Sequence, residues 1–175
     1  LSPAHGRPLT IPSQDMVLGC YYCTLAKKGL KGEGRIFTSP DEVLLALENK
    51  EIDLQALVKM RYEGPFMNLS IYYDDQAVIS CPVVNINREL IETTPGRIIF
   101  NNALPKGMPF INGTFKKKGL ENLVFYIYLK SSLAPTIETL DKLKELGFNQ
   151  ATQAGFSLGI DDFVIPKEKK TLVDK

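Results

Sequence analysis

The hydrophobic period changes twice along this chain, and that change limits the fold more than any other feature. Between Leu57 and Glu92 the period changes to two, with Val58, Met60 and Tyr62 alternating with Lys59 and Arg61 ahead of further β-rich runs. This is the pattern of half-buried strands. On the C-terminal side the spacing becomes helical. Leu120, Leu123, Val124, Ile127 and Tyr128 share one helical face, and Ile137, Leu140, Leu143 and Leu146 share another. The pattern predicts an α+β fold of mixed helices packed with a small antiparallel sheet, with β-rich runs at 69–73, 76–84 and 88–92. Turns are expected at Gly64-Pro65, at Asp74-Asp75 and at Asn85-Ile86-Asn87.

Local signals bound the helices. Pro12-Ser13-Gln14-Asp15 predicts a helix over about 13–24, with Ser13 as its N-cap and Asp15 favoured in the positive first turn. Its apolar residues Met16, Val17, Leu18, Cys20, Tyr21 and Tyr22 lie nearly all round, as in a helix buried on most sides. Gly29, Gly32 and Gly34 mark a flexible loop. Ser39-Pro40-Asp41-Glu42 is a capping box. Thr93-Thr94-Pro95-Gly96 ends the sheet, and a short helix from Arg97 is broken at Leu104-Pro105-Lys106-Gly107. Pro135 opens the last helix and Gly147 is expected to close it, with Glu138 and Lys142 paired four residues apart.

The length of 175 residues fits one domain, or a domain with an attached piece of another. With 21 Lys+Arg against 20 Asp+Glu there is no overall basic field. Polynucleotide contact must then come from a local patch or a larger assembly. Three cysteines cannot all pair, which predicts a reducing, cytoplasmic compartment. No apolar stretch approaches the ~20 residues of a membrane span. The first residues lack an initiator Met, and the last, from Lys167, read as a charged helix just beginning. Both ends suggest a piece of a longer polypeptide.

Few residues carry obvious chemistry. Cys20 and Cys23 have the C-x-x-C spacing of a thiol-exchange pair or half a zinc site, and a thiol-redox or zinc protein is one alternative reading. No second pair exists and both fall late in a helix, so small core residues are the simpler account. His5, the single histidine, would have to carry any histidine-based nucleophilic apparatus. Asp74-Asp75 reads as a turn, whereas Asp161 and Asp162 precede a new helix and can cap it. Lys116, Lys117 and Lys118 with Lys106 form a local positive cluster suited to phosphate or to solvation. No nucleotide-cradling glycine motif occurs.

The run from Gly6-Arg7-Pro8 to Cys20-Tyr21-Tyr22 resembles the largest (β′) subunit of bacterial RNA polymerase, just downstream of its catalytic aspartates. Gly32-Glu33-Gly34, Thr93-Thr94-Pro95-Gly96-Arg97, Leu104-Pro105-Lys106-Gly107-Met108-Pro109-Phe110 and the segment from Gly155 to Pro166 follow in that family's order. The resemblance implies a pore-domain fragment, domain 3 of the largest subunit. Residues 1–24 would end the active-site domain and supply a first helix. Residues 25–165 would form the pore domain, with a small sheet about 56–94 and helices about 95–155. Residues 166–175 would begin the rim helix.

The resemblance further implies a part in DNA-templated transcription by a nucleotidyltransferase. The pore domain would line a secondary channel that admits nucleoside triphosphates and receives the 3′ end of backtracked RNA. The implied partners are the β, α, ω and σ subunits, the DNA template, RNA and cleavage factors that insert into the channel, with no membrane. An isolated docking module for such factors is a further alternative. The family's N-A-D-F-D-G-D motif is absent, so the fragment is expected to be inactive alone. It should need no cofactor, with Mg²⁺ belonging to the parent enzyme. Gln14, Asp15 and Arg97 are the channel-facing candidates, with Asp161, Asp162 and Lys116 as further ones. Gln14 can hydrogen-bond ribose or base and Arg97 can fork a phosphate or carboxylate. Helix capping for Gln14 and Asp15, and a structural salt bridge for Arg97, remain open at this stage.

Overall fold

The computed structural model of the chain describes residues 3, 4, 6–69, 77–157, 159 and 162. Its elements run α1 (Asp15–Thr24), β1 (Ile36–Phe37), α2 (Pro40–Glu48), β2 (Val58–Asn68), α3 (Ala77–Ser80), β3 (Val84–Thr93), α4 (Pro95–Asn102), β4 (Phe110–Asn112), α5 (Lys117–Lys130) and α6 (Leu133–Ala154). The α+β class read from the sequence is borne out, and the sheet is mixed. β2 pairs antiparallel with β3 on one edge, and parallel with β1 and β4 on the other.

The alternation that signalled β2 holds from Val58 to Phe66 and breaks at Met67. Val58 and Met60 are buried while Lys59 and Arg61 are exposed. Further on, Phe66 and Met67 are both buried, because successive strand residues point to opposite faces and here each face meets a core. Phe66, with Phe110, joins a cluster built on Met60, Ile91, Ile98 and the α2 residue Val43. Met67, with Ile111, joins a second cluster of Phe100, Phe115, Leu120, Leu123, Ile127 and Leu143. Each fully buried side chain of this size contributes about 2 kcal/mol from burial. α4 divides the two clusters, with Ile98 in one and Phe100 in the other.

Several local expectations are corrected. Gly64-Pro65 lies within β2, beside an irregularity in register where Tyr62 pairs with Glu89 and Gly64 with Ile86. The extra residue is on β3, where Arg88 takes φ 52, the left-handed conformation that one class of bulge uses. Asn85-Ile86-Asn87 is strand rather than turn. Within the run at 76–84, Ala77–Ser80 is a helical turn packed against α5 rather than strand. Asp74-Asp75 and most of the run at 69–73 lie outside the described residues. The glycine loop after α1 is tethered, with Gly34 N–H donating to Leu57 O and Lys31 N–H to Asp53.

Ser39 caps α2 as its spacing predicts, with Glu42 N–H donating to Ser39 Oγ at 3.3 Å, while the Glu42 carboxylate reaches one residue beyond the N-cap and accepts from Thr38 N–H at 2.6 Å. Thr94 caps α4 in the same way, accepting from Arg97 N–H.

α6 does not stop at Gly147. It continues to Ala154 and ends at Gly155, which takes the left-handed conformation with φ 58 that favours glycine. Gly147 serves a different purpose. α1 crosses α6 so closely there that a Cβ on Gly147 would stand 2.6 Å from Met16 O, and one on Gly19 would overlap the Gly147 carbonyl. At its other end α1 is pressed against α4, where a Cβ on Gly96 would overlap Cys23 O. α1 is buried along that side only: Leu18 is 38% exposed and Tyr21 and Tyr22 are half-buried, so burial on most sides is not realised.

Candidate functional site

The start of α1 departs from the expected capping. Helical hydrogen bonding begins with Gln14, whose carbonyl accepts from Leu18 N–H at 3.1 Å. Ser13 therefore sits one residue too early to be the N-cap, and its carbonyl accepts from Met16 N–H instead. Gln14 occupies the cap position at φ 49, ψ −121 and makes no side-chain cap hydrogen bond. A non-glycine residue at positive φ stores strain that the surrounding structure must hold. The Gln14 carboxamide is thus left pointing outward, and Asp15 beside it is exposed in the first turn.

Gln14, Val17, Leu18 and Tyr21 fall at i, i+3, i+4 and i+7, one stripe of α1. With Lys116 and Lys117 at the start of α5 they line a shallow cleft of about 360 Å³. The structure so brings together Gln14 and Lys116, two of the residues singled out in sequence, over an apolar floor that sequence reading had assigned to the core. The spacing of the stripe was the available signal. Asp15 does not line this cleft. Lys106 does not join it either: it lines a separate cleft of about 580 Å³ with Lys142, so the lysine cluster is divided.

Arg97 is placed differently. It is 5% exposed and its guanidinium is used inside the fold: Nε donates to Thr24 O at 3.0 Å, Nη1 to Asn112 Oδ1 at 2.9 Å and Nη2 to Thr114 Oγ1 at 3.2 Å. Asn112 also accepts from Thr93 Oγ1 and donates to Glu92 O. Thr24 Oγ1 accepts from Phe115 N–H. One cation thereby ties the end of α1, the end of β3, β4 and the approach to α5. Burial lowers its pKa to about 10, partly offset by the charge of Glu92, so it stays charged at neutral pH. The acceptors named for Arg97 are neutral oxygens of the fold, a structural use of a different kind from the salt bridge raised above.

Cys20 and Cys23 are fully buried. Burial pushes both thiols up to about 12, with the neighbouring Cys20 adding to the rise at Cys23. Their Sγ atoms point at the Leu143 and Gly96 carbonyls. A reactive thiolate needs the opposite environment, which argues against the thiol-redox alternative. Among the described residues no three His, Cys, Asp or Glu side chains stand together to hold a metal ion. Asp162 is exposed and its carboxylate accepts from Gly159 N–H at 2.8 Å. His5 and Asp161 lie outside the described residues.

The α1 stripe with its amide thus faces two ammonium groups at the start of α5, and glycine crossings hold α1 against α6 and α4. The sequence profile of "RNA polymerase Rpb1, domain 3" matches residues 1–163, and the chain belongs to that family. It is 49% identical to the DNA-directed RNA polymerase subunit beta′ of Koribacter versatilis, over 99% of this chain and 12% of that protein. It is 43% identical to the subunit of the same name from Aquifex aeolicus, over the whole chain and 10% of that protein. For the Borrelia turicatae subunit the identity is 39%, again over the whole chain and 11% of the relative. The chain thus spans about a tenth of the length of these relatives.

Proposed function

We propose that this chain is the pore-domain wall of a β′ subunit and lines the secondary channel of a DNA-directed RNA polymerase, a nucleotidyltransferase of the cytoplasm. Nucleoside triphosphates would pass along it toward the active centre, and the 3′ end of backtracked RNA would leave the same way. The observation that carries this reading is the cleft of Gln14, Lys116 and Lys117, within a chain that matches the family over residues 1–163. Residues 1–24 bring Gln14 toward the active centre, 25–165 make the wall, and 166–175 lead to the rim.

The roles follow from side-chain chemistry. The Gln14 amide offers a donor and an acceptor to a ribose or base without altering the charge balance near a metal. Lys116 and Lys117 attract phosphate as point charges, and the Val17, Leu18 and Tyr21 floor receives the flat face of a base. Asp15 favours the positive start of α1, and Asp162 the turn that leads out of the domain. Mg²⁺ belongs to the parent enzyme. The residues of this wall bind and guide. The partners of this wall would be the β, α, ω and σ subunits, DNA, RNA and the factors that insert into the channel.

The test is Gln14→Ala in the assembled polymerase. The reading predicts unchanged assembly and a several-fold rise in KM for nucleoside triphosphates or a change in pausing. Unaltered elongation kinetics would leave the amide without a role in the channel.

A further inference from the structure

β2 offers an unfilled edge between two strands. On the side away from β3, β1 reaches only as far as Met60 and β4 begins only at Phe66. Residues 61–65 have no strand partner on that side among the described residues. Lys59 N–H donates across this edge to Arg35 O at 2.8 Å, and the parallel pairing of Phe37 with Met60 uses the Arg61 N–H, so the C=O of Arg61 and both the N–H and C=O of Glu63 face the gap. Pro65 has no N–H to offer, and its carbonyl already accepts from Tyr62 Oη at 3.1 Å. The gap is therefore short, with room for about three paired residues at ~3.3 Å each.

The two faces of the gap differ in chemistry. On one face Thr38, Arg61, Glu63 and Arg88 line a cleft of about 360 Å³. Two guanidiniums stand there against one carboxylate, Glu63, which pairs with Arg88 Nε at 3.1 Å. The bulge at Arg88, φ 52, displaces that residue from the regular ladder. On the other face Tyr62, Met108, Pro109 and Phe110 contribute to an uncharged cleft of about 220 Å³, more apolar than polar, to which Asn101 and Asn102 add amides. Tyr62 belongs to both clefts. An added strand sends successive side chains to opposite faces, so a segment seated in the gap would place alternate residues in a cationic cleft and in an uncharged, more apolar one.

We propose that this gap is a strand-addition site for a short extended peptide of a separate partner protein, with acidic and apolar residues in alternation. Backbone bonds to Arg61 and Glu63 supply affinity, and the two clefts supply the choice of sequence. The charge on one face and the short length mark reversible docking, because permanent interfaces are larger and more apolar.

The test titrates the full-length parent polypeptide, in its native assembly, with a fluorescent Val-Glu-Val-Glu-Val-Glu peptide. Three probes accompany it: a block isomer with three Val then three Glu, and two forms N-methylated on one or the other backbone edge. The alternating peptide should bind at least tenfold tighter than the block isomer and weaken as salt rises. One N-methylated form should lose binding and the other keep it. Arg61→Glu with Arg88→Glu should abolish binding and restore it for the Val-Lys alternating peptide. Equal binding of both isomers, equal effects of the two N-methyl patterns, or indifference to the charge reversal would overturn the proposal.

Discussion

Gly19 of α1 lies directly against the Gly147 carbonyl of α6, with no space between them for a methyl group. Met16 completes the contact from the other side. This crossing sets how α1 lies on the fold and hence where the Gln14 carboxamide is held. Both obstructing atoms are backbone, which cannot turn aside as a side chain does.

Gly19→Ala and Gly147→Ala should each destabilise the α1–α6 contact by about 3 kcal/mol, at the upper end of overpacking costs. Hydrogen exchange of α1 amides should then accelerate by about two orders of magnitude. Gly107→Ala is the contrast. Nothing stands within 4 Å of its Cβ position, and only its positive φ of 89 opposes the change, at about 1–2 kcal/mol. Equal exchange rates in the three variants would contradict the crossing.

Arg97→Lys should behave almost as badly as Arg97→Met, since one ammonium cannot reach Thr24 O, Asn112 Oδ1 and Thr114 Oγ1 from a single fork. Each should cost about 3 kcal/mol through buried acceptors left without donors. The readout that separates this from a substrate-facing role is kinetic. Where the variants remain folded, KM for nucleoside triphosphates should match the parent, with faster amide exchange at 112–115. A raised KM with undisturbed exchange would restore the channel-facing reading of Arg97.

What was legible in the sequence was local. Ser39-Pro40-x-Glu42 and Thr94-Pro95 announce their helices because a cap is a contact between residues three apart. The period-two run announces β2 for as long as one of its faces is exposed. What was not legible depends on distant chain. Ala77 to Ser80 forms a helical turn because α5 packs on it, overriding its β-rich composition. Gly147 reads as a helix end until α1 is seen crossing it. Arg97 and Gln14 are both polar residues near strong local signals. Only the fold shows that one side chain is enclosed by Thr24, Asn112 and Thr114 while the other points out beside Lys116.

The thiols provide a pH test. The folded pKa of Cys20 and Cys23, about 12, lies above the ordinary 9.0. Their contribution to stability is therefore fully present below pH 9 and is lost as pH rises from 9 toward 12. The slope is about 1.4 kcal/mol per pH unit per thiol within that window. Cys20→Ala with Cys23→Ala should flatten this part of the pH profile. At pH 8 iodoacetamide should modify the native pair about a thousandfold more slowly than in urea, given three pH units less thiolate. Rapid modification of the native pair would revive a thiol chemistry at this site.

The most direct test of the central claim places a photocrosslinker at the start of α1. With Gln14→p-benzoylphenylalanine in the assembled polymerase, irradiation of backtracked complexes should join the subunit to the radiolabelled RNA 3′ end. The yield should fall when nucleoside triphosphate or a channel-inserting factor is added. If the crosslinks go only to protein, and the RNA is never labelled in backtracked complexes, the cleft of Gln14, Lys116 and Lys117 does not face the channel.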